Sequence, residues 1–211
     1  PPLDDATIRA VGRALTRVLA TRLDRAPRIV VGRDTRESGL RVESALAAGV
    51  RLEGGTLDAS GVITTPGVAV VTRLEGYDAG VVVSASHNPF QDNGIKVFSP
   101  TGAKLDEAAE SAIERFVPDL VDDTATVDRI DETPSHTEQY YEYLRDDVAR
   151  GLDLAGLSLA VDCANGAAYT LAPRLFRELG ATVHAIGVEP DGRNINRDCG
   201  SLHLEGLAAH V

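Results

Sequence analysis

The chain has 211 residues, 43% hydrophobic and 25% charged, with two cysteines and no methionine or tryptophan. That mix suits one large or two small globular domains and excludes a disordered, collagenous or coiled-coil chain, and no apolar run approaches the ~20 residues of a membrane helix. The net charge of −11 argues against a broad basic surface for nucleic acid.

Ile8, Val11, Leu15, Val18, Leu19 and Leu23 recur at helical spacing, with arginines on the other face and Asp4, Asp5 and Thr7 at the start. After Pro27, residues 28–32 read as a short buried strand. Ser38 and Gly39 lead into a second helix striped by Val42, Ala45, Leu46 and Val50 and ended by Gly54 and Gly55. A strand lies between Thr56 and Ile63. Thr65 followed by Pro66 reads as an N-cap and a first-turn proline, opening a short helix that stops at Gly76. Residues 79–83 form a fully apolar strand, residues 84–94 a turn-rich segment, residues 95–98 another strand, and residues 106–117 an amphipathic helix.

Residues 118–134 are acidic and irregular, with a proline at each end, and are the expected linker. A helix is expected over 136–148. A second α/β unit then runs from a strand at 157–161, through a helix ending near Leu179, to a strand at 182–188. Strands alternating with helices predict α/β layering with mainly parallel pairing. The expected fold is a three-layer α/β/α mixed-sheet domain over residues 1–133, followed by part of a second similar domain over 134–211.

No basic and then apolar signal peptide opens the chain, and the missing methionine implies a start inside a longer reading frame. Lys96 and Lys104 are the only lysines. An acidic, lysine-poor composition fits life at high salt or an arginine-favouring genome. Cys163 and Cys199 match no zinc or redox spacing and are expected to be reduced thiols in a cytoplasmic protein.

The densest polar segment is Ser84-Ala85-Ser86-His87-Asn88-Pro89, directly after an apolar strand. Its side chains fall at the carboxyl edge of the sheet, where open α/β sheets bind ligands. From these residues alone a polar surface turn explains the segment equally well; a serine hydrolase does not, because no G-x-S-x-G elbow is present. Lys96 follows Ser86 by ten residues, beyond the turn signal Asp92-Asn93-Gly94. A returning strand would bring a serine, a histidine and a lysine together, and a hydroxyl among cations suits phosphate chemistry.

Ser84-Ala85-Ser86-His87-Asn88-Pro89 with Asp92-Asn93-Gly94-Ile95-Lys96 resembles the phosphoserine loop of the α-D-phosphohexomutase superfamily, which includes phosphoglucomutases, phosphomannomutases and phosphoglucosamine mutases. Gly32-Arg33-Asp34-Thr35-Arg36-Glu37-Ser38-Gly39 resembles a first-domain motif of the same family. Asp162-Cys163-Ala164-Asn165-Gly166-Ala167 resembles the start of its second domain. Pro190-Asp191-Gly192-Arg193-Asn194-Ile195-Asn196, with Cys199-Gly200-Ser201 and His203, is most similar to the phosphoglucosamine mutase branch.

The resemblance implies that Ser86 carries a phosphoryl group and exchanges it with a hexose phosphate through a bisphosphate intermediate, moving phosphate between the 1 and 6 positions. It implies His87 and Lys96 as catalytic neighbours, and Arg33, Arg36 and Asn88 as candidate phosphate-binding residues. For Arg33 and Arg36, ion pairs with Asp34 and Glu37 are the favoured structural alternative. Asp162, Asn165 and Gly166 are expected to cap a helix. Asp191, Asn194 and Asn196 fit either a substrate edge or an ordered turn. Cys199 lacks any sequence neighbour that would lower its thiol pKa, so a nucleophilic role is not expected.

Magnesium is the implied metal, held by Ser86 through its phosphate and by aspartates outside this chain; a hexose 1,6-bisphosphate is the implied activator. The implied partners are a hexose phosphate and the remaining domains of the same polypeptide, with a homodimer compatible and with neither nucleic acid nor membrane. The family's opening F-G-T-D-G-I-R-G, its D-G-D-x-D-R metal loop and its third and fourth domains have no counterpart here. The chain by itself is therefore expected to be inactive. A noncatalytic sugar-phosphate binder is the alternative within this fold; a nucleotide-binding protein is disfavoured, because neither G-x-G-x-x-G nor a P-loop is present.

Overall fold

The computed structural model describes residues 3–121 and 130–210. Helix α1 (Asp5–Leu23) is capped by Asp4, whose carboxylate accepts the Thr7 amide at 2.7 Å, and it ends at Asp24 in the left-handed conformation. Its apolar stripe faces inward as the spacing predicts, but Arg9 is buried with that stripe rather than on the outer face. Strand β1 (Arg28–Arg33), helix α2 (Gly39–Leu52), strand β2 (Thr56–Val62), helix α3 (Thr65–Leu74) and strand β3 (Ala79–Val83) follow in strict alternation. The cap of α3 is Thr64, one residue before the expected Thr65: its hydroxyl accepts the Gly67 amide at 3.2 Å, which moves Pro66 to the second position.

Strand β4 (Ile95–Phe98) completes a sheet ordered β2-β1-β3-β4. β1 pairs in parallel with β2 and β3, whereas β4 runs antiparallel to β3. Alternation along the strands builds two cores. Ile29, Val31, Val81 and Val83 pack with Ile8, Leu15 and Leu46 on the face covered by α1, α2 and α4 (Glu107–Leu120). Val30 and Val82 pack with Val68, Val71 and Tyr77 under α3, joined by Tyr140 of α5 (Ser135–Glu142). The result is the expected three-layer α/β/α arrangement with a mixed sheet.

The expected linker is only partly irregular. Helix α4 continues through Pro118 to Leu120, because proline there removes a single amide in the last turn. Residues 122–129 of that segment lie outside the described residues. Its far end lies along β2: Glu132 bridges Ala59, and the Thr133 amide donates to the Ala59 carbonyl at 2.7 Å. The helix expected over 136–148 divides into α5 and a π-helical stretch, Tyr143–Val148. A second, two-stranded parallel sheet pairs β5 (Ser158–Asp162) with β6 (Thr182–Ile186) across helix α6 (Leu171–Glu178). A short helix α7 (Glu205–Ala208) ends the described chain. Among the described residues no helix is long and apolar enough to cross a membrane.

Candidate active site

The strand order places β1 and β3 side by side while the chain leaves β1 toward β2 and reaches β3 from the other direction. The crevice at their carboxyl ends is thus a topological switch point, where doubly wound sheets hold ligands. Asp34 follows β1 and Ser84 follows β3, and both are buried. The Ser84 hydroxyl donates to Asp34 Oδ2 at 2.7 Å and accepts the Ser86 amide at 3.1 Å. One carboxylate at the end of β1 therefore anchors the start of the loop that follows β3.

Arg36 anchors the rest. Its side chain is fully buried, and Nε donates to Asp34 Oδ2 at 2.9 Å. Nη2 donates to the carbonyls of Ser86 at 3.0 Å and Asn88 at 2.9 Å; Nη1 donates to those of Asp92, at 3.0 Å, and Pro89. A planar guanidinium presents its donors in a fixed fork, so one side chain sets the curvature of the whole turn. The expected pairing of Arg36 with Asp34 is present, and the same arginine orients the loop. Arg33 pairs with neither Asp34 nor Glu37, since its guanidinium lies 3.2 Å from Glu43 and 2.5 Å from Glu132. Glu37 instead pairs with Arg193 at 2.7 Å.

Ser86 is exposed at the tip, with φ 53°, a left-handed conformation that a non-glycine residue adopts only when its surroundings hold it there. The antiparallel return of β4 sets Lys96 opposite Val82 and brings its Nζ within 2.9 Å of Ser86 Oγ. The structure thus joins Ser86 and Lys96. His87 is exposed next to them, and Asn88, also exposed, donates from Nδ2 to Asp92 Oδ2 at 3.0 Å. A cavity of about 360 Å³ opens beside the turn, lined by His87, Phe90, Asn196, Arg197 and His203 among others. A hydroxyl contacted by an ammonium, with a histidine and an arginine at the adjoining cavity, can bind a phosphoryl group and exchange it with a neutral oxygen nucleophile.

The second sheet contributes to this site in a way that sequence spacing does not show. Asp162, Asn165 and Gly166 do not cap α6, which starts later, at Leu171, after a run of turns. Asp162 accepts the amides of Ala164 at 2.8 Å and Gly200 at 2.6 Å, and Asn165 accepts the Glu189 amide at 3.0 Å. Thr35 Oγ1 donates to the Asn165 carbonyl at 2.5 Å, and the Glu37 amide donates to the Gly192 carbonyl at 2.9 Å. Asn194 forms an ordered turn, with its Oδ1 accepting the Asp191 amide at 3.0 Å. Asn196 lines the cavity beside the turn, and its Nδ2 also donates to the carbonyls of Ser86 at 2.8 Å and Asn88 at 3.1 Å. Cys163 and Cys199 are free thiols, both pushed above the usual thiol range by burial and by Asp162.

The implied magnesium finds no complete donor set. Among the described residues no group of three or more His, Cys, Asp or Glu side chains could hold a metal ion, and the charged partner of the Ser86 hydroxyl is a cation. The described residues do not make a metal site by themselves.

The chain is similar to known proteins in sequence and in fold. The chain is 50% identical over 203 residues to a phosphoglucosamine mutase of Xylella fastidiosa (strain M12), covering 95% of this chain and 46% of that protein. It is 48% identical over 204 residues to a phosphoglucosamine mutase of Bordetella avium (strain 197N), covering 96% of this chain and 46% of the relative. The fold superposes with a TM-score of 0.77 on a phosphoglucomutase/phosphomannomutase family protein of Burkholderia thailandensis, at 29% identity, over 99% of this chain and 46% of that one. The chain therefore spans about half the length of the curated relatives it matches. Residues 1–121 match the family model of phosphoglucomutase/phosphomannomutase, alpha/beta/alpha domain I, and the chain belongs to that family.

Proposed function

We propose that this chain carries the phosphoryl-accepting serine of a phosphohexomutase, and that the hexose phosphate is glucosamine phosphate. The observation that carries the reading is the 2.9 Å contact between Lys96 Nζ and Ser86 Oγ, at the exposed tip of a turn held from below by Arg36. The names of relatives that are 50% and 48% identical favour the amino sugar over mannose or glucose. Because the chain spans about half of those relatives, turnover is assigned to a polypeptide of their length.

In this reading phosphorylated Ser86 gives its phosphoryl group to a sugar hydroxyl. The bond from Ser86 Oγ to phosphorus breaks as the bond from the sugar oxygen to phosphorus forms. The proton of the sugar hydroxyl passes to a neighbouring base, for which exposed His87 is the candidate. Negative charge gathers on Ser86 Oγ as it leaves, and Lys96, already in contact with that oxygen, offsets it. The reverse step returns the other phosphate of the bisphosphate to Ser86. Splitting the exchange through a covalent intermediate replaces one difficult transfer with two easier ones. Arg36 and Asn88 serve by shaping the turn, and Arg33 by pairing within the fold next to it.

The test is to treat the dephosphorylated full-length protein with glucosamine 1,6-bisphosphate and locate the added phosphoryl group by peptide mass. Phosphate on Ser86, with loss of both labelling and turnover in Ser86→Ala, is expected. Labelling elsewhere, or mutase turnover retained by Ser86→Ala, overturns the reading.

A further inference from the structure

We propose that Asn196, from the loop after β6, is a positioning residue for Ser86, so that productive phosphoryl transfer depends on the second sheet being docked against the first. This rests on the phosphoserine reading above and deepens it. Asn196 Nδ2 reaches the carbonyls of Ser86 and Asn88, and Arg36 Nη2 reaches the same two oxygens from beneath. The peptide that follows Ser86 is thereby held from two directions by donors from different parts of the chain.

That arrangement answers a specific need. Ser86 sits at φ 53° without being glycine, and such a conformation persists only where the surroundings over-determine it. A carbonyl can accept two hydrogen bonds, so Arg36 leaves one lone pair on each oxygen for Asn196. Asn196 is itself held in the left-handed conformation, φ 59°, and its amide donates to the carbonyl of Ala164, another left-handed residue at φ 51°. A continuous hydrogen-bonded path therefore runs from the end of β5, through Ala164 and the backbone and side chain of Asn196, to the peptide of Ser86. Glu37 provides an internal comparison: it joins the same two parts through Arg193 at 2.7 Å and lies outside the lining of the cavity beside the Ser86 turn.

The experiment uses the full-length enzyme in single turnover, following transfer from glucosamine 1,6-bisphosphate to dephosphorylated Ser86, with bisphosphate affinity measured separately. Asn196→Gly keeps the left-handed backbone and removes the amide; Asn196→Asp keeps the shape and replaces donor by acceptor. Both variants are expected to slow transfer by roughly 10- to 100-fold, the scale of a displaced reacting group, with affinity within about twofold of wild type. Glu37→Ala is expected to transfer at close to the wild-type rate. A wild-type rate in a folded Asn196 variant overturns the proposal, as does an equal slowing in Glu37→Ala, which would show that docking alone matters. If wild-type Ser86 takes no phosphate at all, it is the phosphoserine reading that fails.

Discussion

Lys96 reaches Ser86 because the turn between β3 and β4 closes over residues 84–94, with the Ser84 amide bonded to the Gly94 carbonyl at 3.0 Å. In the proposed transfer, the ammonium touches the oxygen on which charge develops when phosphate leaves. Lys96→Met keeps the apolar stem and deletes the charge. It is expected to lower kcat/KM of the full-length enzyme by about 100-fold, the scale of losing one preorganised donor. Lys96→Arg is expected to recover little, because a planar fork does not reproduce a point charge at that oxygen. Steady-state mutase kinetics on the three proteins measure this, and an unchanged Lys96→Met counts against it.

Arg36 is a stability residue as much as a loop-shaping one. Its guanidinium is buried against Asp34 and satisfies four loop carbonyls. Arg36→Ala leaves a buried carboxylate and those carbonyls without a cation, a loss of about 3–5 kcal/mol. Arg36→Lys is expected to fall nearly as far, since one ammonium cannot span the turn. Urea unfolding of the variants provides the check; a loss below about 1 kcal/mol would be that of an ordinary hydrogen bond and would refute the role.

Much of this fold is legible from residue pattern, because its determinants are local. The alternation of Ile29, Val30 and Val31, the apolar run at Val81–Val83 and the glycines after the helices each act within a few positions. The turn between Ser86 and Lys96 is legible for the same reason. What escapes is long-range. Asn196 lies 110 residues from Ser86, and Ser60 lies 76 from His136, so no spacing reveals either contact. The cap at Thr64 escapes for another reason: Thr64 and Thr65 are chemically equivalent, and only the backbone of the preceding strand decides which hydroxyl meets the Gly67 amide.

Helices α1 and α2 cross where two glycines remove the side chains. A methyl group on Gly12 would overlap the carbonyl oxygen of Leu46, and one on Gly49 would overlap that of Arg9. Backbone atoms cannot step aside as a flexible side chain does. Each glycine-to-alanine change is therefore expected to destabilise by roughly 1–3 kcal/mol, despite the better helix propensity of alanine. Gly54→Ala is the contrast: nothing stands near its missing Cβ, and its cost comes only from φ 78°. Chemical denaturation ranks the three, and a stabilised Gly12→Ala would contradict the packing argument.

Glu43 makes the fold lose stability as pH rises through the neutral range. It is fully buried in α2, and burial pushes its carboxyl up to about 8, while Arg33 pulls it back and Glu132 adds to the rise. Because the folded value lies above that of an exposed carboxyl, the neutral form favours folding. That contribution is fully present below about 4.5 and is lost as pH rises through the folded value. Glu43→Gln is expected to flatten the decline in stability between about pH 4.5 and pH 8. Parallel curves for the variant and the wild type would rule the assignment out.

His136 has the opposite sign. It is buried on α5, with Nδ1 2.9 Å from Ser60 Oγ and Nε2 3.3 Å from Tyr77 Oη. Tyr77 donates its own proton to Asp58 at 2.7 Å, so its oxygen accepts from the histidine; the Ser60 hydroxyl then donates to Nδ1. This chain needs the neutral ring with its proton on Nε2. Burial lowers the His136 pKa, partly countered by Asp58 and Glu75, while Arg28 lies over the Tyr77 ring at 4.8 Å. A depressed folded value means that the stability is present above the unfolded pKa of about 6.5 and is lost as pH falls through it. Wild-type stability is expected to fall as pH drops below about 6.5, with a slope of at most about 1.4 kcal/mol per pH unit, the limit for one proton. His136→Gln is expected to start less stable and to show a shallower slope over the same range. Unfolding free energies at several pH values decide it: an equal slope in the variant would mean that another group takes up the proton.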